Sequence, residues 1–167
     1  EHRLIAESTR EIRRHTLRGT INLNTNGSLP ERVQEIAESG LDSLRVSMNS
    51  ARPDRYAAYY RPRGYTFEDV EESVRRARKM GLYTMINLLV FPGISDSRDE
   101  LDALEALIRR TGVHFIHLKN LCIDPQLYQE HMPSEQTSAM GMRRMAETLK
   151  KRFPGLSLGY FNQPVRV

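Results

Sequence analysis

Residues 21–50, INLNTNGSLPERVQEIAESGLDSLRVSMNS, decide the architecture. A strand pattern over Thr20 to Thr25 ends in Asn26-Gly27, a turn pair. Ser28, with Glu31 three residues on, reads as a capping box around Pro30. The spacing predicts a helix from about Pro30 to Glu38, stopped by Gly40. A second strand, Ser43 to Met48, runs into Asn49-Ser50. Hydrogen-bonding side chains thus close two successive strands of a βαβ unit, and that edge is where α/β folds bind ligands.

The pattern repeats outward. Leu4, Ile5, Ile12 and Leu17 stripe a helix over 3–17 that breaks at Arg18-Gly19. Pro53 to Tyr60 reads as a short helix before the loop Arg61-Pro62-Arg63-Gly64. Thr66 and Asp69 cap a helix that turns Val70, Val74 and Ala77 inward and ends at Gly81. A strand follows over 82–91, then Pro92-Gly93. Ser97 and Glu100 start a helix with Leu101, Leu104, Leu107 and Ile108 on one face, ending at Gly112. A strand over 113–121, a loop at Asp124-Pro125, a helix over 134–152 and a strand over 156–161 complete the series. Alternation of this kind is the mark of parallel βα units with right-handed crossovers. The expected fold class is α/β: a partial (β/α) TIM-like barrel, parallel strands with outer helices, incomplete at the N-terminus. A flat doubly wound sheet is the alternative. The first strand would expose an edge on which chains can pair.

Composition narrows the function classes. With 167 residues, 39% of them hydrophobic, and charges interspersed, the chain suits one globular domain or a piece of a larger one. The net charge of +4 comes from basic runs (Arg10, Arg13, Arg14; Arg75, Arg76, Arg78, Lys79) interleaved with acids. That pattern favours solvated helix faces over a nucleic-acid surface. No apolar run is long enough to span a bilayer, and no leader pattern opens the residues given, so the expectation is a cytoplasmic protein without a membrane partner. The start at Glu1 reads as an excerpt from a longer protein. A single cysteine, Cys122, excludes an internal disulfide and any cysteine-only metal site; it reads as a small buried residue. No G-x-G-x-x-G or P-loop follows any strand.

Candidate chemistry gathers at the strand tips: Asn24, Thr25 and Asn26; Ser47, Asn49 and Ser50; Asn87 with Pro92-Gly93; His117, Lys119 and Asn120. These groups are mostly neutral. They suit a flat polar ligand such as an adenosine more than hydrolysis, which needs paired carboxylates or a nucleophile with its base. Arg61 and Arg63 can clamp a carboxylate or simply face solvent. His114 and His117 sit at i and i+3 of one strand, on opposite faces, so joint metal ligation is not expected.

Several stretches together resemble the radical S-adenosylmethionine (radical SAM) superfamily, in the second part of its core barrel. They are Asn24-Thr25-Asn26-Gly27, Val46-Ser47-Met48-Asn49-Ser50, Tyr59-Tyr60-Arg61-Pro62, Ile86 through Gly93, and His117 through Leu121, within residues 4–128. The resemblance implies a barrel domain over 1–128 and a helix–strand extension over 129–167. It implies S-adenosylmethionine as cofactor, a [4Fe–4S] cluster in the parent, hydrogen abstraction from an unknown substrate, and a reductant such as flavodoxin or ferredoxin. By position it implies cofactor contacts from Thr25, Asn26, Ser47, Asn49, Asn87, Lys119 and Asn120, with Ser47 and Asn49 near the ribose and methionine moieties. The segment 87–93 and the segment 117–121 would lie near adenine, and Arg61 near the cofactor carboxylate.

The sequence departs from the family at one point. The C-x-x-x-C-x-x-C loop and the Gly-Gly-Glu-like motif of the earlier barrel strands are not in this chain. Three thiolates cannot be assembled from one cysteine, so the cluster ligands are expected outside these residues and this chain alone is expected to be inactive. Two other readings of the same residues are a barrel lyase or isomerase using Lys119, the one lysine at a strand tip, and a non-catalytic half-barrel scaffold.

Overall fold

Alternation along each strand sorts side chains onto two faces, and this sorting organises the molecule. The structure is a computed structural model that describes residues 2–133, 138–160 and 165. The strands are β1 (Asn22–Thr25), β2 (Ser43–Met48), β3 (Tyr83–Val90), β4 (Phe115–Asn120) and β5 (Ser157–Gly159). All neighbouring pairs are parallel, and spatial order follows chain order, β1-β2-β3-β4-β5. Such a singly wound order belongs to part of a β/α barrel; a doubly wound sheet would reverse its order partway. β1 pairs on one side only among the described residues, as the expected open edge requires.

The helices are α1 (His2–His15), α2 (Val33–Glu38, entered through a 3₁₀ turn at Pro30–Arg32), α3 (Pro53–Tyr60), α4 (Phe67–Lys79), α5 (Arg98–Thr111), α6 (Pro125–His131) and α7 (Met142–Arg152). Leu44, Val46 and Met48 of β2, Ile86 and Leu88 of β3 and Ile116 of β4 pack with Val70, Val74, Ala77, Leu101, Leu104 and Leu107 of the helices. Fully burying one such aliphatic side chain contributes about 1.5–3 kcal/mol. No helix among the described residues is long and apolar enough to cross a membrane.

The caps explain where elements start. Thr66 and Asp69 form both halves of their box: the Thr66 amide donates to Asp69 Oδ2 at 2.8 Å and the Asp69 amide to Thr66 Oγ1 at 3.4 Å. The expected box at Ser28 does not form. Asn26 Oδ1 takes the Ser28 amide at 3.2 Å in a local turn, and Leu29 becomes an N-cap without a side-chain bond. The expected loop at Asp124-Pro125 is instead the start of α6, because Asp124 Oδ1 accepts from the amides of Gln126 and Leu127. The helix expected from Ser134 begins, among the described residues, at Met142; residues 134–137 and Phe161 lie outside the described set. Gly141, at φ 92°, holds a backbone that a helix cannot use.

At the N-terminal end of the sheet one carboxylate ties three elements. Asp42 Oδ2 accepts from the Ile21 amide at 2.7 Å and pairs with Arg13 Nη2 of α1. Arg13 Nε donates to the Gly40 carbonyl at 2.9 Å. The Asp42 backbone joins β1 and β3: its amide donates to the Ile21 carbonyl, and its carbonyl accepts from the Tyr83 amide.

Candidate functional site

The face of the sheet turned away from the helices carries the polar residues. Its key row is Ser47–Asn87–His117, three residues in direct register on β2, β3 and β4. His117 Nδ1 lies 3.1 Å from Asn87 Oδ1. The row below it, toward the N-terminal end, is Asn24–Arg45–Met85–Phe115, again in register. Arg45 Nη2 donates to Met85 Sδ at 3.4 Å, and the Phe115 ring meets His117 edge-on at 5.3 Å. Above, Lys119 Nζ stands 4.3 Å over the Tyr160 ring, which also covers His117 at 5.3 Å.

His117 is only 3% exposed, and its Nε2 is buried with no hydrogen-bond partner among the described residues. Burial lowers its pKa first, then the positive charges of Arg45 and Lys119; the nearby Tyr160 backbone opposes them without bonding geometry to Nε2. A neutral ring donating from Nδ1 to the Asn87 oxygen presents its Nε2 lone pair as an acceptor. An unsatisfied buried acceptor of this kind costs about 1–3 kcal/mol until a donor reaches it.

The sequence-derived residues are distributed unevenly. Ser47, Asn87 and Lys119 share the inner face with His117. Asn26 follows the tip of β1, exposed, with its oxygen in the local turn. Thr25 pairs in register with the core residue Val46, on the helix side, and its Oγ1 accepts from the Gly27 amide at 3.1 Å. Asn120 alternates onto the same helix side of β4 and is exposed. Arg61 terminates α3 with φ 46° and lines a groove between α3 and α6 with Tyr59, Ile123, Leu127, Tyr128 and His131. Asn49 is buried under that junction: its Nδ2 donates to the Arg55 carbonyl at 3.1 Å and lies 3.3 Å from Tyr128 Oη, while its Oδ1 has no partner among the described residues. On β4 the sequence reading selects Lys119 and Asn120 as cofactor contacts and leaves His117 as a strand-tip candidate only. Alternation places His117 beside Asn87, but only the inter-strand register, which is not written in one strand, shows the pair.

Cys122, expected to be buried, is exposed, and its thiol contacts the Asn120 carbonyl at 3.4 Å. The loop after β4 carries it past the sheet and out of the core. No group of three or more His, Cys, Asp or Glu side chains is placed to hold a metal among the described residues. The chain therefore does not fit an iron–sulfur cluster by itself. Its inner face sets the neutral polar groups of Ser47, Asn87 and His117 beside the cations Arg45 and Lys119, a set of groups that fits a nucleoside.

The family model for the radical SAM superfamily matches residues 2–106. A probable GTP 3′,8-cyclase of Methanosarcina acetivorans is 30% identical over 133 residues, covering 76% of this chain and 39% of the relative. Across the first curated relatives the chain spans between 33% and 39% of their length. Among solved structures, a domain of pyruvate-formate lyase-activating enzyme from Bacteroides vulgatus superposes with a TM-score of 0.67 at 10% identity, covering 96% of this chain and 91% of that one. SuiB of Streptococcus suis, solved with S-adenosylmethionine bound, gives a TM-score of 0.57 at 12% identity over 84% of this chain and 32% of that one. At such identities these structures speak for the fold: a TIM-barrel-like domain covered in part. With a family match across more than half of its length, the chain belongs to the radical SAM superfamily.

Proposed function

We propose that this chain supplies the ribose and adenine side of an S-adenosylmethionine site in a larger radical SAM enzyme. The observation that carries the reading is the in-register row Ser47–Asn87–His117, with His117 Nε2 buried and unpartnered. The bound cofactor, on a reduced cluster held elsewhere in the enzyme, would supply a hydrogen-abstracting 5′-deoxyadenosyl group. This chain's residues bind and orient. Asn87 and His117 offer one donor and one acceptor to a base edge. Ser47 and Asn49 offer a hydroxyl and an amide oxygen to the ribose side. The Tyr160 ring lies 5.3 Å from the His117 ring.

For the substrate, the relatives named GTP 3′,8-cyclase point to a purine nucleoside triphosphate, GTP. The electrostatics of the sheet support an anionic substrate: no residue of any described strand is acidic, and Arg45 and Lys119 both stand on the inner face. A flavodoxin- or ferredoxin-type donor would reduce the cluster of the whole enzyme.

Calorimetry on the full-length protein tests this. Wild type is expected to bind S-adenosylmethionine, and Asn87→Ala to weaken binding about tenfold, the equivalent of one hydrogen bond of about 1.4 kcal/mol. Absence of binding to the cluster-loaded wild type would overturn the reading.

A further inference from the structure

The tip of β2 is locked by a buried charged node that the ligand site does not itself contain. Asn49, Ser50 and Ala51 turn the chain from β2 toward α3, and all three are buried. Their polar groups need partners. Glu100, the third residue of α5, supplies them. Its Oε1 accepts from the Ala51 amide at 2.6 Å, and its Oε2 accepts from Ser50 Oγ at 2.5 Å and from Arg55 Nη1 at 3.1 Å. Arg55 Nη1 also donates to Ser97 Oγ at 3.0 Å and to the Ile94 carbonyl at 3.2 Å. The Arg55 carbonyl in turn accepts from Asn49 Nδ2.

One carboxylate and one guanidinium thus join the loop after β2 to the loop after β3. The side chains of Arg55 and Glu100 are 3% and 1% exposed. Stripping two charges of water costs several kcal/mol per ion, and well-packed apolar residues of similar volume give equal or greater stability. Stability alone is a poor reason for this pair. What the node does achieve is geometric. It fixes Arg55, whose backbone carbonyl accepts from Asn49 Nδ2; Tyr128 Oη lies 3.3 Å from the same nitrogen, and Asn49 Oδ1 is left buried and without a partner among the described residues.

We infer that Glu100 and Arg55 are positioning residues: they hold the Asn49 amide so that its oxygen is presented as an acceptor to a hydroxyl or N–H donor of the ligand. This rests on the proposed S-adenosylmethionine site. Neither residue touches the ligand; both act through Asn49. Placement of Glu100 as a helix-start residue hides the role, because its carboxylate leaves its own helix. Ser97 Oγ still accepts from the Glu100 amide at 3.4 Å, but nothing returns to the Ser97 amide from Glu100 among the bonds described.

The test uses the full-length, cluster-loaded protein labelled with ¹⁵N-asparagine. Ser50→Ala removes one hydroxyl from the node, and Glu100→Gln removes its charge. Both are expected to weaken S-adenosylmethionine binding about tenfold and to move the Asn49 side-chain amide signals. Asp42→Ala, at the opposite end of the sheet, serves as a control for lost stability and should move neither. Affinity within twofold of wild type in Ser50→Ala, with the Asn49 signals in place, would overturn the inference. Should Glu100→Gln fail to fold, Ser50→Ala carries the test alone. If wild type does not bind S-adenosylmethionine, the site reading fails on its own account. The Asn49 signals then decide the positioning role: displacement in Ser50→Ala supports it, and constancy refutes it.

Discussion

Replacing Asp42 with alanine should cost stability while sparing the site. Asp42 Oδ2 holds Arg13 and the Ile21 amide, and both ion-pair side chains are nearly buried. Breaking a buried pair by removing one partner costs about 3–5 kcal/mol. The low end applies, because the Arg13 guanidinium keeps the Gly40 carbonyl at 2.9 Å and the Gly19 carbonyl at 3.3 Å. The Ile21 amide left without its acceptor adds about 1 kcal/mol. The loss is then about 4 kcal/mol, a large share of the 5–15 kcal/mol typical of a domain. At about 2–4 °C per kcal/mol for a chain of this size, Tm falls by about 8–16 °C. Asp42 precedes Ser47 by five residues along an extended strand, about 16 Å. Ligand affinity below the transition should therefore stay within twofold of wild type. Urea denaturation followed by circular dichroism, with calorimetry on the folded variant, measures both. A loss below about 1 kcal/mol, or a tenfold loss of affinity, would refute the assignment of Asp42 to scaffold and not to site.

Two further outcomes follow from the same geometry. Gly40 sits at φ 101°, and a Cβ built on it would lie 2.7 Å from Arg13 Cγ; Gly40→Ala should lose at least about 1–2 kcal/mol from backbone conformation alone, and combined with Asp42→Ala the losses should be less than additive, since both displace Arg13. His114 and His117 are both pushed below the usual histidine range, chiefly by burial. The unfolded chain then binds more protons than the native one, so stability is full above about pH 6.5 and falls as the pH drops below it, by at most about 1.4 kcal/mol per pH unit for each residue. Denaturation at pH 7.5 and 6.0 should show the fall, and His117→Gln should reduce it; the variant comparison separates His117 from Glu100, whose raised carboxyl acts in the opposite sense, losing stability as the pH rises. Equal slopes in variant and wild type would remove His117 from the account.

Much of the fold was legible because local signals and packing agree. Ser43–Met48 and Pro53–Tyr60 have the bounds that alternation and the helix-starting proline predict. The three box-like spacings show where legibility stops. Thr66/Asp69 closes fully, Ser97/Glu100 closes by half, and Ser28/Glu31 does not close. Their local spacing is the same. What differs is the competition: Glu100 finds Ser50 and Arg55, and Asn26 claims the Ser28 amide. The site divides along the same line. Neutral residues at strand ends could be read directly, but alternation sends Thr25 and Asn120 to the helix side while Ser47 and Asn87 face inward. His117 gains its place only through a partner 30 positions away.

Burial across the inner face is graded, and the gradient sets how strictly each part of a ligand is judged. Asn22 and Asn24 on β1 are exposed, Ser47 and Asn87 are half-buried, and His117 is buried beneath Tyr160. Among the described residues β1 pairs on one side only, and the Tyr160 ring lies against His117 of β4. At the open end, water replaces any ligand group that fails to bond, so a mismatch there costs little. At the β4 end His117 Nε2 is buried and without a partner among the described residues, an orphan whose cost is about 1–3 kcal/mol. A site built to bond one buried group rejects analogues that lack it far more strongly than a shallow site does. In the proposed S-adenosylmethionine site, discrimination among nucleosides is expected at the His117–Asn87 pair, with the β1 end setting how the ligand enters.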